Sequence, residues 1–311
     1  MESRAVFPLL AGLLGALLLL PAKAPAESAT RAQKTFPSAQ AAAEALVSAA
    51  EAFDVEALKA IFGPEGVDLV VTEDAVQDRN QATAFAAQAR EKLVVATDPK
   101  DARKASLIAG KGEWPLPIPI VKAGGAWRFD TVGGRREIFL RRIGRNELDA
   151  IQVCRGFVEA QHEYASEKRD GARLNQYAQK IISTPGKQDG LAWRNPDGTW
   201  GGPVGETIAH AIAEGYRDRY EPYHGYYFKV LKGQGPSAPL GELAFVVQGV
   251  MIGGFALVAA PADYEKTGVK TFLVSHDGVV WEKDLGPKTV EAFRAMERFD
   301  PDKSWSPVLE D

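Results

Sequence analysis

One cysteine, Cys154, in a chain of 311 residues rules out any disulfide within the chain. A fold of this length must therefore be held by packed apolar cores, because no covalent staple supplements them. The length suits two such cores better than one. A composition of 45% hydrophobic and 25% charged residues is the balance of an ordinary globular protein. Beyond the N-terminus, no apolar stretch is free of charge for long enough to cross a bilayer.

The N-terminus reads as an export address. Arg4 and the free amine open it, an uncharged apolar run extends from Ala5 to Leu20, and Pro21 ends the run. Ala22-Lys23-Ala24 and Ala24-Pro25-Ala26 are both small-x-small sites, which completes the layout of a secretory signal peptide over residues 1–26. Cleavage after Ala26 is expected, since the other site would leave Pro25 just past the cut. A membrane anchor is the weaker reading: the run falls short of the ~20 residues a spanning helix needs, and Pro8 interrupts it. No cysteine near the cut could carry lipid, so the expected location is periplasmic or secreted. Losing Glu2, Arg4 and Lys23 moves the charge count from 37 basic and 41 acidic residues to 35 and 40. That net negative charge makes nucleic acid and anionic membrane poor partners.

Residues 27–35 are small and polar, and a flexible leader is expected there. From Ser38, placed to cap, Ala42, Leu46, Ala49, Ala50 and Phe53 recur at helical spacing. A second helix carries Leu58, Ile61 and Phe62 and stops at Gly63-Pro64. A third is predicted over 79–93, with strands over 105–109 and 115–130. In Pro115-Leu-Pro-Ile-Pro-Ile120 every second residue is proline. Within a strand this strips donors from one side only, as in an edge strand; an extended polyproline cover is the alternative. Trp127 and Phe129 then alternate as a further strand.

At Arg141-Arg-Ile-Gly-Arg145 the pattern changes. Gly144 is expected to break one element, and Asn146 to cap a new helix with Asp149 in its first turn. Leu148, Ile151, Cys154, Val158 and Tyr164 would share that helix's buried face. A domain boundary is expected here, between residues 36–142 and 146–311. The second part predicts a helix over 206–214 and strands at Tyr226-Phe228-Val230, Ala244–Met251, Phe255–Ala260, Thr271–Ser275 and Val279–Lys283. His276-Asp277-Gly278 joins the last two as a hairpin, and a helix over 288–298 closes the chain. The fold class is α+β, in two domains.

Four motifs in order, Arg142-Ile-Gly-Arg-Asn-Glu-Leu148, Tyr223-His-Gly-Tyr-Tyr-Phe228, Gly253-Gly-Phe-Ala-Leu-Val258 and His276-Asp-Gly-Val-Val280, resemble a bacterial family known as domain of unknown function 2950. The resemblance spans the chain beyond its leader and implies an exported bacterial protein. It implies no activity and no site residues. Residues 36–132, with paired helices and the late Trp127-x-Phe129 strand, resemble the cone-shaped nuclear-transport-factor-2-like fold, in which helices cover a curved antiparallel sheet. Residues 146–285 resemble the globular head of a type II secretion pseudopilin, where a helix bearing Ala160-Gln161-x-x-Tyr164 precedes an antiparallel sheet. A different domain stands where a pilin has its polymerising helix, so the head fold is implied and pilus assembly is not.

Chemistry is sparse. Cone-shaped folds sometimes catalyse isomerisation or dehydration, which takes a positioned acid or base and an oxyanion donor. The first domain has no histidine or tyrosine; Asp54, Asp68, Asp74, Asp78 and Asp130 are its candidate bases, and their spacing reads mostly as solvated. Zinc, nucleophile-elbow and phosphate-loop patterns are all missing. Asp300-Pro-Asp302 lacks the other oxygen ligands of a calcium loop. Cys154 reads as a core residue, and His276 and Asp277 as turn residues. No catalytic, cofactor or metal residue is assigned. A possible ligand or partner surface remains at Tyr223, His224, Tyr226 and Trp127. The expected function is that of an exported, non-enzymatic protein that recognises or helps assemble another envelope or secreted protein. The alternative is a small-molecule binder, or behind it an enzyme, using an apolar pocket in the first domain.

Overall fold

The computed structural model of the chain describes residues 32–216 and 221–309. The expected signal peptide lies outside the described residues, as does the leader up to residue 31. The rest of that leader is tied down: Gln33 donates to Ile61 O and Phe129 O at 3.0 and 2.8 Å, and the Lys34 N–H donates to Ala60 O at 2.8 Å.

Ser38 starts the first half as its position predicts. Its Oγ accepts the Ala41 N–H at 3.0 Å and caps α1 (Ala39–Glu51), which buries Ala42, Ala43, Leu46, Val47 and Ala50. Asp54 caps α2 (Val55–Phe62), and Gly63, with φ +75°, ends it. One turn, α3 (Val67–Val70), leads to α4 (Ala75–Glu91), capped by Asp74. The sequence pattern carries this helix to Leu93. The structure instead begins β1 (Leu93–Asp98) there, because Leu93-Val-Val-Ala-Thr97 has the branched side chains of a strand and pairs with β2 (Asp101–Ala109).

The proline segment is an edge at Pro115 and interior at Ile120. β3 (Trp114–Pro115) and β4 (Ile120–Ala123) both pair with β2, and β5 (Ala126–Phe129) pairs with β4, so β4 lies inside the sheet. Between β3 and β4 the chain bends at Pro117-Ile118. The bend is covered by α5 (Thr131–Ala165), which approaches so closely that a Cβ on Gly134 would stand 2.5 Å from Ile118 Cα.

That helix also overturns the expected break. It runs 35 residues straight through Gly144, and Asn146 is a buried mid-helix residue rather than a cap. Both of its halves find partners, which outweighs the local signals: Thr131 and Arg142 bond the first half, while Ala150, Cys154, Phe157 and Tyr164 fill the second core. Leu148 is 63% exposed rather than buried.

In the second half, the short pair β6 (Trp193–Arg194) and β7 (Trp200–Gly201) precedes α6 (Gly205–Glu214). After β8 (Tyr226–Leu231), β9 (Gly233–Gln234) pairs with β10 (Leu243–Ala244). The single strand expected over 244–251 is a hairpin of β11 (Val246–Val247) and β12 (Val250–Met251). Gln248 and Gly249, at φ +50° and +82°, make the two-residue turn. β13 (Ala256–Pro261), β14 (Lys270–Ser275) and β15 (Val280–Asp284) follow, then α7 (Thr289–Ala295) and β16 (Ser306–Pro307). The antiparallel sheet is ordered β16-β15-β14-β13-β8. Every residue of β13 is buried, as a central strand requires. The class is α+β, with two apolar clusters threaded by α5: one from Phe36 to Phe129, the other from Ala150 to Trp305.

Candidate functional site

Of the four surface candidates, the structure brings two together. Tyr223 and His224 stack with ring centroids 4.1 Å apart, in the turn before β8. Tyr226 leaves the set: it is fully buried in the second core, and its hydroxyl donates to Lys270 O at 2.9 Å. Trp127 lies in β5, bridged to Phe36 and packed on the first core.

His224 belongs to a polar junction between the two halves. Its φ of +49° is a strained conformation for a residue with a side chain, held by its surroundings. Nδ1 lies 2.9 Å from Asp149 Oδ2 on α5, and Nε2 lies 3.7 Å from Glu214 Oε2 at the end of α6. The neighbouring Gly225 N–H donates to Asp74 Oδ2 at 2.9 Å, and the Tyr216 hydroxyl donates to the same oxygen at 3.0 Å. Asp74 Oδ1 accepts the Gln77 N–H at 2.9 Å. Asp74 therefore caps α4 and anchors the loop before β8 at once. Beside it, Gln77 donates to Asn146 Oδ1 at 3.2 Å, and Asn146 donates to Thr267 O at 2.9 Å. Asp78 accepts the Thr72 N–H at 2.6 Å, and Arg142 donates to Leu69 O at 2.9 Å.

Asp74 and Asp78 are buried, not solvated as their spacing suggests. Burial raises the Asp74 carboxyl above its ordinary range, against the pull of the Gln77 and Gly225 N–H groups and the Tyr216 hydroxyl. Burial pushes Asp78 up to about 6, opposed by Thr72 and by the Arg142 charge. Burial, reinforced by Asp74, also raises Tyr216. The pattern Asp74-Ala-Val-Gln77 is a capping signal that marks the helix start in sequence. Nothing local shows that Gly225, 151 positions away, will close on it.

A pH dependence follows. Unfolded Asp78 titrates near 3.8 and folded Asp78 at about 6, so between those values the folded chain holds the extra proton. The stability tied to protonated Asp78 is complete below the unfolded value and lost as pH rises through the folded one. Denaturant unfolding between pH 4 and 7 is expected to show wild type losing on the order of 2–3 kcal/mol that Asp78→Asn does not lose. Parallel curves for the two proteins would refute the burial effect.

A histidine between two carboxylates, with tyrosines alongside, holds the components of acid–base catalysis. Here His224 is held by Asp149, and Asp74 by the Gln77 and Gly225 N–H groups and the Tyr216 hydroxyl, while Glu214 Oε2 is buried without a hydrogen bond among the described residues. Two open surface grooves lie elsewhere: one of about 450 Å³ beside Trp281, Pro301 and Trp305, another of about 150 Å³ beside Tyr164, Tyr177 and Asp189. The junction works as a clasp. The remaining candidates also have structural places. Asp277 accepts from Ser275 Oγ and the Val279 N–H within its turn. Burial pushes the Cys154 thiol up to about 12, as suits a core residue. Asp300 and Asp302 accept the N–H groups of Ser237 and Ser304 at 2.7 and 2.8 Å.

The sheet of the first half ends in an unpaired edge. β1 pairs with β2 alone. The bonds Gly110 N–H to Lys92 O and Leu116 N–H to Leu107 O fix the alternation: Val94 and Ala96 turn their main-chain groups toward β2. Leu93, Val95 and Thr97 turn theirs away, and among the described residues none has a main-chain partner on that side. Leu93-Val-Val-Ala-Thr97 has neither charge nor proline, the usual devices that blunt an edge. The outer side of β8 is shorter, closed by Tyr223 at Tyr226 and by the Phe245 N–H at Lys232 O.

Long helix, paired apolar cores, buried clasp and open edge together define a two-core α+β protein. Residues 33–308 match the family described as "Protein of unknown function (DUF2950)", and the chain belongs to that family. No curated protein and no solved structure matches it.

Proposed function

We propose that this chain is an exported, non-enzymatic protein of the bacterial envelope that recognises another envelope or secreted protein by taking an extended segment of it onto β1. The unpaired row at Leu93, Val95 and Thr97 carries the reading, because main-chain donors and acceptors in strand geometry select another extended backbone. The exposed side chain of Val94 lies beside that row and adds side-chain selectivity. The signal-peptide pattern over residues 1–26 supports export. A pocket in the first half has less support, since Phe62, Leu107, Ile118, Ile120 and Phe129 fill its interior, with the Phe62 and Phe129 rings 5.5 Å apart.

Paired proline substitutions test the edge. Val95→Pro removes an outward donor, so the chain should stay folded and melt within a few degrees of wild type. Val94→Pro removes a bond to β2 and should cost on the order of 2–3 kcal/mol. In capture from native envelope fractions, wild type and the exposed control Leu240→Ser should retain a partner that Val95→Pro loses. A folded Val95→Pro protein that kept the partner would sink the proposal.

A further inference from the structure

α5 has an outward face left largely exposed among the described residues, with Ile151 at its side packed against the second core. Glu137, Leu140, Gly144, Leu148 and Arg155 are exposed along it, with Ile151 half-buried. Leu140 and Leu148, one turn either side of Gly144, are 54% and 63% exposed. Glycine at the middle of a helix costs about 1 kcal/mol relative to alanine. Among the described residues no neighbour calls for it, since a Cβ on Gly144 would meet nothing within 4 Å.

The face is its own complement when read backwards. If a second copy of the helix crosses antiparallel on a two-fold axis at Gly144, each residue faces the one equally far beyond the glycine. Gly144 then meets Gly144, and Leu140 meets Leu148. Glu137 meets Ile151 and comes within one turn of Arg155. Arg155 has no ion-pair partner among the described residues, and Glu137 has only the exposed contact to Arg141 at 2.8 Å, a pair of small worth. A parallel crossing would set Glu137 against Glu137 and Arg155 against Arg155. Of the two arrangements, the antiparallel one alone brings Glu137 and Arg155 within a turn of each other, and glycine at the crossing lets the helices approach closely.

We propose that the outward face of α5 is the interface of a two-fold symmetric homodimer in which a second copy crosses antiparallel at Gly144. The interface is separate from β1, so either can fail without the other.

Sedimentation velocity of the chain lacking residues 1–26, over a range of concentrations, tests it. Wild type should shift from monomer to dimer below roughly 100 μM, and Gly144→Arg should raise the dissociation constant at least about tenfold with the melting temperature kept. Glu137→Arg and Arg155→Glu should each weaken the dimer, and the double variant should recover it. A wild-type monomer throughout, a dimer indifferent to Gly144→Arg, or a double variant no tighter than either single would each overturn the proposal.

Discussion

Asp74→Ala is expected to destabilise the chain by about 3–4 kcal/mol, a large share of the stability of any domain. Three losses combine. α4 loses its cap, worth about 1 kcal/mol. The Gly225 N–H and the Tyr216 hydroxyl lose their acceptor, and orphaned buried donors cost about 1–3 kcal/mol each. Part of this is offset, because the burial that holds the Asp74 carboxyl above its ordinary range is itself unfavourable to its charge. Asp74→Asn keeps oxygen for one side of the network and should cost less. Urea unfolding monitored by tryptophan fluorescence measures both. A loss under about 1 kcal/mol for alanine would mean that the clasp contributes little.

Gly134→Ala should be comparably damaging, by about 3 kcal/mol or more, although alanine is the better helix former. The added Cβ would stand 2.5 Å from Ile118 Cα and 2.6 Å from Pro117 O, both backbone atoms. Neither can swing aside as a flexible side chain would. Relief would require α5 to lift from the bend, exposing Ile118, which is wholly buried. Chemical denaturation again decides it: a Gly134→Ala protein as stable as wild type would show that the approach between helix and bend is looser than described.

Features set by near neighbours were legible in the sequence. Ser38 caps α1, Gly63 stops α2, and the Asp277-Gly278 turn joins β14 to β15, each because the signal and its effect lie within a few residues. Features set by distant contacts were not. Gly144 and Asn146 look like a break, yet α5 continues because Thr131 bonds Phe62 O and Asn146 bonds Thr267 O, far away on either side. The prolines suggest an edge along the whole segment, but which strands pair decides it: β3 at Pro115 pairs with β2 alone, whereas β4 lies between β2 and β5. The site divides in the same way. Tyr223 and His224 were visible as an aromatic turn. Tyr226 heads a strand whose alternation carries it into the core, and the burial of Asp74 depends on Gly225 closing over it.

Amide hydrogen exchange, followed residue by residue along β1, tests recognition at this edge most directly. In the free chain, Leu93, Val95 and Thr97 should exchange far faster than Val94 and Ala96, whose N–H groups bond β2. Adding the captured partner should slow Val95 and Thr97 at least about tenfold, as a new strand takes their donors. Uniform protection along β1 in the free chain, or unchanged exchange at Val95 and Thr97 with the partner bound, would contradict recognition at this edge.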